Sequence, residues 1–344
     1  MPNARTISAQ VYAIHDGKRK RLQFSTPPML TANADSRIRM SLNGNFEHDD
    51  EVDYINDMLE PVLIIDGQEL ALGKYMIGTL TRTYGKSSVE DTIEAYDQTL
   101  LLQQTRLEER LHFTTAMSYT TCIAKLLMQA GVRQAKITHI SSTINTDRED
   151  WEVGTDFLTI INELLDEINY DHIWFDFEGE AVIAPTPNIN IDKPNIIYNA
   201  DSNSVIMAGS TSIIDGYDAP NVFIARMINP DYEKPIIATA INDNPASALS
   251  TMNRGRRIVK VVQPDNCASR DELQKYVNEM RTRNIYAAER VTFATAINAE
   301  HQIHDVIEIH SEHINGVYLE TGWSMELAAG GTMQHTAERM IYSL

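Results

Sequence analysis

Apolar positions along this chain change their period from segment to segment, and the changes mark its elements. From Phe157 onward, Phe157, Ile160, Ile161, Leu164, Leu165 and Ile168 recur at the spacing of one helical face. Thr155 is placed to cap that helix, and Asp156 and Glu163 lie on its other side. Directly after it, Ile173 to Ile183 reads as a hairpin. Trp174, Phe175 and Phe177 lead into Glu178-Gly179, where glycine supplies the positive φ of a tight turn, and Ala181 to Ile183 return. A second helix is predicted from Tyr119, Ile123, Leu126 and Leu127, with Gly131 as the residue that ends it. A third starts at Ser269, with Glu272 at capping-box spacing, and carries the stripe Leu273, Tyr276, Val277, Met280 and Ala287 to about Ala288.

Elsewhere the period is two. Asp16-Gly17, Asp66-Gly67, Asp215-Gly216 and Asn315-Gly316 are hairpin signals, because Asx-Gly favours the turn whose twist matches paired strands. Val62 to Ile65 and Ala71 to Ile77 flank the second, and Val306 to Ile309 and Val317 to Thr321 flank the fourth. Short strands at this spacing read as barrels or sandwiches. The expected organisation is a β-rich domain over residues 1–100, an inserted α+β domain over 101–185, a return segment to the first domain over 186–217, and a second β-rich domain over 218–344 whose helix spans about 269–288. The fold class is therefore α+β and β-rich.

The wording of these segments is more specific than their period. WEVGTDFLTIINELL, starting at Trp151, precedes WFDFEGE, starting at Trp174. This resembles the baseplate hub proteins of contractile phage tails and of phage-tail-like bacteriocins, in which a W-x-x-G-T-x-x-L-x-I-I-N-x-L-L segment precedes a W-F-D-x-x-G hairpin. SLNGNFEHDDEVDYINDMLEPVLIIDG (Ser41 to Gly67) is similar to that family's first strand, acidic loop and hairpin. Leu72 to Gln104, with Ala95-Tyr96-Asp97, continues the resemblance, as do DAPNVFIARMINP, INDNPASALSTMNRGRRIVKVV and GVYLETGWSMELAAGGTMQHTA with its Gly330-Gly331 pair. The resemblance implies two small tube-type β-barrels of related shape, and a homotrimer that adapts the hexameric tail tube to the trimeric central spike. Its implied partners are the spike, the tube or tube-initiator protein, other baseplate or wedge proteins and the tape measure protein. DNA would pass through a phage hub without specific binding. It implies no cofactor and no catalysis, in a virion or bacteriocin particle. The resemblance runs to about Leu344, which leaves no expected room for a fused enzymatic domain. The competing readings are a tail-associated cell-wall hydrolase and a metal- or carbohydrate-binding tail module.

Composition sharpens this picture in a few places. The formal net charge of −19, from 48 acidic and 29 basic residues, argues against a protein that grips nucleic acid through phosphates. Its basic runs, Lys18 to Arg21 and Arg254 to Arg257, are short. The two cysteines, Cys122 and Cys267, form neither a disulfide framework nor a zinc ribbon, which fits synthesis in a reducing cytoplasm. No window reaches the ~18 apolar residues of a membrane span, and MPNARTISAQ has no apolar signal core, so release by lysis is expected.

Candidate chemistry is sparse. His301, His304, Glu308, His310 and His313 are the residues to weigh for metal, since zinc is held by such ligands converging at about 2.0–2.2 Å. Ile307 and Ile309 alternate like a strand with His304, Glu308 and His310 facing the other way, and same-face neighbours lie ~6.6 Å apart. The favoured reading is thus the polar outer face of a barrel strand. Gly85-Lys86-Ser87 mimics the end of a P-loop, but Leu80 stands where its first glycine belongs. No Gly follows two residues after Ser210 to make a nucleophile elbow, and Cys122 has no adjacent cation. Glu47, Asp49, Asp50, Glu51 and Asp53 lack the spacing of a calcium loop and read as a solvated acidic run.

Overall fold

The computed structural model describes residues 6–144, 150–168, 170–185, 193–200, 205–214, 219–227, 235–264, 270–283 and 287–341. The hairpin signal Asp215-Gly216, the capping residue Ser269 and Cys267 lie outside the described residues.

The chain opens with strands β1 (Ile7–His15), β2 (Lys18–Leu22), β3 (Phe24–Asn33), β4 (Met40–Glu47), β5 (Met58–Ile65), β6 (Gln68–Ala71), β7 (Tyr75–Tyr84) and β8 (Val89–Tyr96). Two of the turns are the expected ones. Asp16 and Gly17 have φ of 45° and 78°, Asp66 and Gly67 have 51° and 82°, and the flanking pairs His15↔Lys18 and Ile65↔Gln68 close two-residue hairpins. Alternation then sorts the faces, so Leu30, Leu42, Phe46, Leu59, Leu63 and Ile93 are fully buried.

A compact α+β unit follows, from α1 (Thr99–Gln104), α2 (Tyr119–Gln129), β9 (Ala135–Ile137), α3 (Phe157–Glu167), β10 (Trp174–Phe175) and β11 (Ala181–Ile183). All six residues of the α3 stripe are buried, in one cluster with Ile173, Phe175, Ala181 and Ile183 of the hairpin and Ile123 and Leu126 of α2. The α3 cap is Asp156 rather than Thr155: its carboxylate accepts from the Thr159 amide at 2.9 Å and leaves Thr155 one position outside. A carboxylate both satisfies an orphan amide and meets the positive helix end, so it outcompetes a hydroxyl one step away. The hairpin turn is also wider than a two-residue link. Asp176 accepts from the Glu178 and Glu180 amides at 3.1 and 2.9 Å, which rounds the chain from β10 to β11.

The last part holds β12 (Ile196–Asn199), β13 (Thr211–Ile214), β14 (Val222–Met227), β15 (Ile236–Ile241), α4 (Thr251–Arg254), β16 (Val259–Val262), α5 (Arg270–Arg283), β17 (Ala287–Ala296), β18 (Val306–His310), β19 (Asn315–Glu326) and β20 (Thr332–Ile341). Helix α5 packs Leu273 and Val277 on Phe223, Ala225, Ala238 and Ala240 of the sheet β15-β14-β16. Ala287, placed by periodicity at the end of that helix, instead starts β17, where it pairs with Ile341. Long-range pairing supplies its backbone bonds, and this overrides local periodicity. Asn315-Gly316 is not the turn of its hairpin either. His310 pairs with Asn315, so residues 311–314 make the turn and Asn315-Gly316 belong to β19.

One sheet of 14 described strands runs through both ends of the chain, in the order β13-β17-β20-β19-β3-β4-β8-β7-β5-β1-β2, with β6, β12 and β18 off that path. Its two parts meet at β19 and β3, from Gly322↔Asn33 to Glu326↔Met29. The main core straddles this seam: Trp323, Met325, Leu327 and Met333 share a cluster with Leu30, Leu42 and Phe46. Among the described residues no helix is long and apolar enough to cross a membrane.

Candidate functional site

The five residues weighed for metal do not converge on one point. Glu308 and His310 lie on the outer side of β18, paired at 3.1 Å, while Ile307 and Ile309 are buried behind them. His313 is exposed in the 311–314 turn. His304 has a positive φ of 67° and turns to Asp171, while His301 points into the core and is 0 % exposed. The acidic run at 47–53 folds as a paired loop: Lys20 bridges Asp49 and Glu51, and Asp53 caps Ile55 and Asn56. A cleft of about 590 Å³ between residues 54–58, β7 and α1 has Tyr54 and Asp57 as its ionisable lining, and Asp57 is already held by His15 at 2.5 Å.

The loop 297–305 instead serves two buried polar clusters, one on each side of it. The first is a junction of three chain segments. Arg39, beside β4 and 4 % exposed, donates to both oxygens of Asp171 at 2.7 and 2.8 Å, in the fork geometry that suits a carboxylate. Asp171 lies between α3 and β10, and His304 Nδ1 reaches its Oδ2 at 2.5 Å. Burial opposes ionisation of Asp171, but the Arg39 guanidinium and His304 outweigh it and hold the carboxyl well below the usual carboxylate range. Nearby, Arg37 bonds the α3 cap Asp156 at 2.5 Å and Thr159 at 2.7 Å, Gln98 donates to the Gly179 carbonyl at 3.0 Å, and the Phe177 and Trp323 rings meet edge to face. First strands, inserted unit and last strands are thereby tied at one place.

The second cluster is His301, Glu320 and His335, each at most 1 % exposed. Alternation on β19 turns Tyr318 and Glu320 inward, and on β20 it turns Met333, His335 and Ala337 inward. Each imidazole presents Nδ1 to a different Glu320 oxygen, His301 to Oε2 and His335 to Oε1 at 2.5 Å. Each Nε2 meets a hydroxyl, that of Tyr198 for His301 and that of Thr295, at 2.8 Å, for His335. Thr295 gives its own proton to the Ala296 carbonyl at 2.8 Å. It therefore accepts from His335 Nε2–H, and Nδ1 of a neutral His335 faces Glu320 with its lone pair. Two lone pairs in contact need a positive particle between them. Burial pushes the Glu320 carboxyl up to about 7 against the pull of His335, and burial pushes His301 down to about 4 and His335 down as well. Chemically the cluster can hold a shared proton or a cation. It contains no activated nucleophile.

Periodicity alone does not announce either cluster. One available signal was an acid at an inward register of β19, beside Tyr318. The partners come from distant segments, with Arg39 and Asp171 132 positions apart.

No family model matches the sequence, and no curated protein matches it. Solved structures do match along nearly the whole chain. A tail protein from Neisseria meningitidis MC58 superposes with a TM-score of 0.71 at 15 % identity, covering 96 % of this chain and 97 % of that one. The 43 kDa tail protein of prophage MuSo2 from Shewanella oneidensis does so with a TM-score of 0.69 at 11 % identity, over 96 % and 98 %. This is the fold of phage tail proteins. Prophage tail protein gp18 from Listeria monocytogenes EGD-e also shares it, with a TM-score of 0.62 at 13 % identity over 96 % and 94 %. The tail-protein fold is thus reached at identities where few side chains coincide, so it resides in strand order and inward-facing pattern.

Proposed function

We propose that this protein is the structural hub of a contractile-tail baseplate, a homotrimeric adaptor that joins the tail tube to the central spike and lines the channel. The observation that carries the reading is a tail-protein fold matched end to end, built on one sheet that runs unbroken through both ends of the chain. A part that transmits force between tube and spike needs its segments coupled. The β19–β3 seam and the Arg39–Asp171–His304 junction supply such coupling. In this reading residues 1–100 and 218–344 form two barrels per subunit and 101–185 is a lateral insertion; 186–217, expected to return to the first barrel, instead pairs its strands β12 and β13 with β18 and β17 of the last part of the chain. Three subunits then present six similar barrels, which lets a three-fold spike meet a six-fold tube. The spike, the tube or tube initiator, wedge proteins and the tape measure protein are the proposed partners. An excess of acidic over basic residues, 48 against 29, favours an acidic channel wall past which DNA slides without sticking. No catalytic step is assigned to the protein.

Native mass spectrometry of the purified chain with and without its spike, followed by electron microscopy of the particle, tests this. Three copies per ring are expected, with more than ~2,000 Å² buried in total at each subunit interface. A ring of six copies, or clearing of peptidoglycan that disappears on a single Asp→Ala or Glu→Ala change, would overturn the reading.

A further inference from the structure

We propose that His301, Glu320 and His335 bind one divalent transition-metal ion of the zinc class, which stitches the 297–305 loop to β19 and β20. This inference is independent of the tail reading.

Four observations converge. The donor set of two imidazoles and one carboxylate is one that zinc uses. The donor atoms all lie within 4.8 Å of one another, on three side chains that are fully buried. The two Nδ1 atoms flank the two Glu320 oxygens one apiece, which is the arrangement around an ion on the bisector of a bidentate carboxylate. Finally, both Nε2 atoms are fixed by hydroxyls, Tyr198 and Thr295, and such outer partners orient metal-binding histidines and set their tautomer. Bonds of ~2.1 Å in a tetrahedral shell put neighbouring donors ~3.4 Å apart. The rings therefore need to recede from Glu320 by less than ~1 Å, with their hydroxyl partners as guides.

Charge favours the ion over the proton. The His335 lone pair facing Glu320 demands a positive particle, and Asp305 nearby adds a further push of negative charge. A divalent ion satisfies the carboxylate and both Nδ1 atoms together, displacing the proton they would otherwise share.

The test uses the full chain expressed in zinc-supplemented medium and analysed for metal after gel filtration. One equivalent per chain is expected. Glu320→Gln and His335→Ala should each lose at least ten-fold, whereas His310→Ala and His313→Ala, on the exposed side, should keep the ion. Prolonged chelation should lower the melting temperature, and zinc should restore it. Should the core variants fail to fold, stripped wild type loaded with cobalt(II) still decides, since a tetrahedral visible spectrum with a one-to-one end point is expected. Wild type that carries no metal and melts identically with chelator or zinc would overturn the proposal and leave a shared proton in the cluster. Metal lost from His310→Ala but kept by Glu320→Gln would overturn it equally, as surface binding.

Discussion

Removing Asp171 should loosen the junction before it melts the main sheet. Asp171→Ala takes away three charge-assisted hydrogen bonds, two to Arg39 at 2.7 and 2.8 Å and one to His304 at 2.5 Å. At about 1.5–3 kcal/mol each they set a ceiling of roughly 4.5–9 kcal/mol. Relief of the desolvation of Asp171 offsets part of that. The remainder is dominated by Arg39, which is 4 % exposed and would be left as a buried, unpaired cation. Breaking such a pair from one side costs about 3–5 kcal/mol, and about 4 kcal/mol is expected here. The double change Arg39→Met with Asp171→Leu removes both charges and should recover most of the loss. Urea unfolding followed by tryptophan fluorescence is a suitable assay, because Trp323 packs on Phe177 at the junction and Trp151 reports the inserted core. The pH sign follows from the depressed Asp171 pKa. Its stabilisation is fully present above the unfolded carboxylate value near 4 and is lost as pH falls through the lower folded value. A loss under ~1 kcal/mol for Asp171→Ala, or the same loss in an Arg39→Met background, would refute the reasoning.

Three further outcomes are expected. Leu164→Asp places a carboxylate on a fully buried α3 position and should cost at least ~3 kcal/mol; an unchanged melting temperature would show the helix face to be misassigned. Gly322→Ala should weaken the β19–β3 seam by about 1–3 kcal/mol, because its methyl would lie 2.9 Å from the Ala32 carbonyl oxygen; faster hydrogen exchange along β3 and β19 should report it, and unaltered exchange would count against the contact. Asp97 is buried with Oδ2 unpartnered, and burial lifts its carboxyl from 3.8 to about 6, so its protonated form is favoured in the fold and its contribution falls as pH rises across that window. Relative to wild type, Asp97→Asn should therefore gain about 3 kcal/mol between pH 4 and pH 7, and parallel stability curves would exclude this role.

The chain's own order of residues settled what is decided over a few neighbours. Helix α3 was legible because six apolar residues at helical spacing need only one face of one helix to be buried, and they are. Asp16-Gly17 and Asp66-Gly67 were legible because a left-handed dipeptide is a local demand. Where a local signal competed with pairing partners far along the chain, the partners decided. Ala287 continues a helical stripe yet joins Ile341 in a ladder, and Asn315-Gly316 reads as a turn yet sits in register with His310 and Ile309. The histidines from His301 to His313 invite weighing as one site because they are close in sequence, and the strand period of Ile307 and Ile309 already argues against it. A positive φ at His304 and the pleat of β18 send them to separate surroundings. The groups that do converge come from separate segments: β19–β20 pairing and the 297–305 loop bring His301, Glu320 and His335 together, while β19–β3 pairing brings Arg39 within reach of the loop that carries His304. Hydrophobic period fixes which side of an element faces inward. Which inward side chains then meet is fixed by strand order, and strand order is a property of the whole chain.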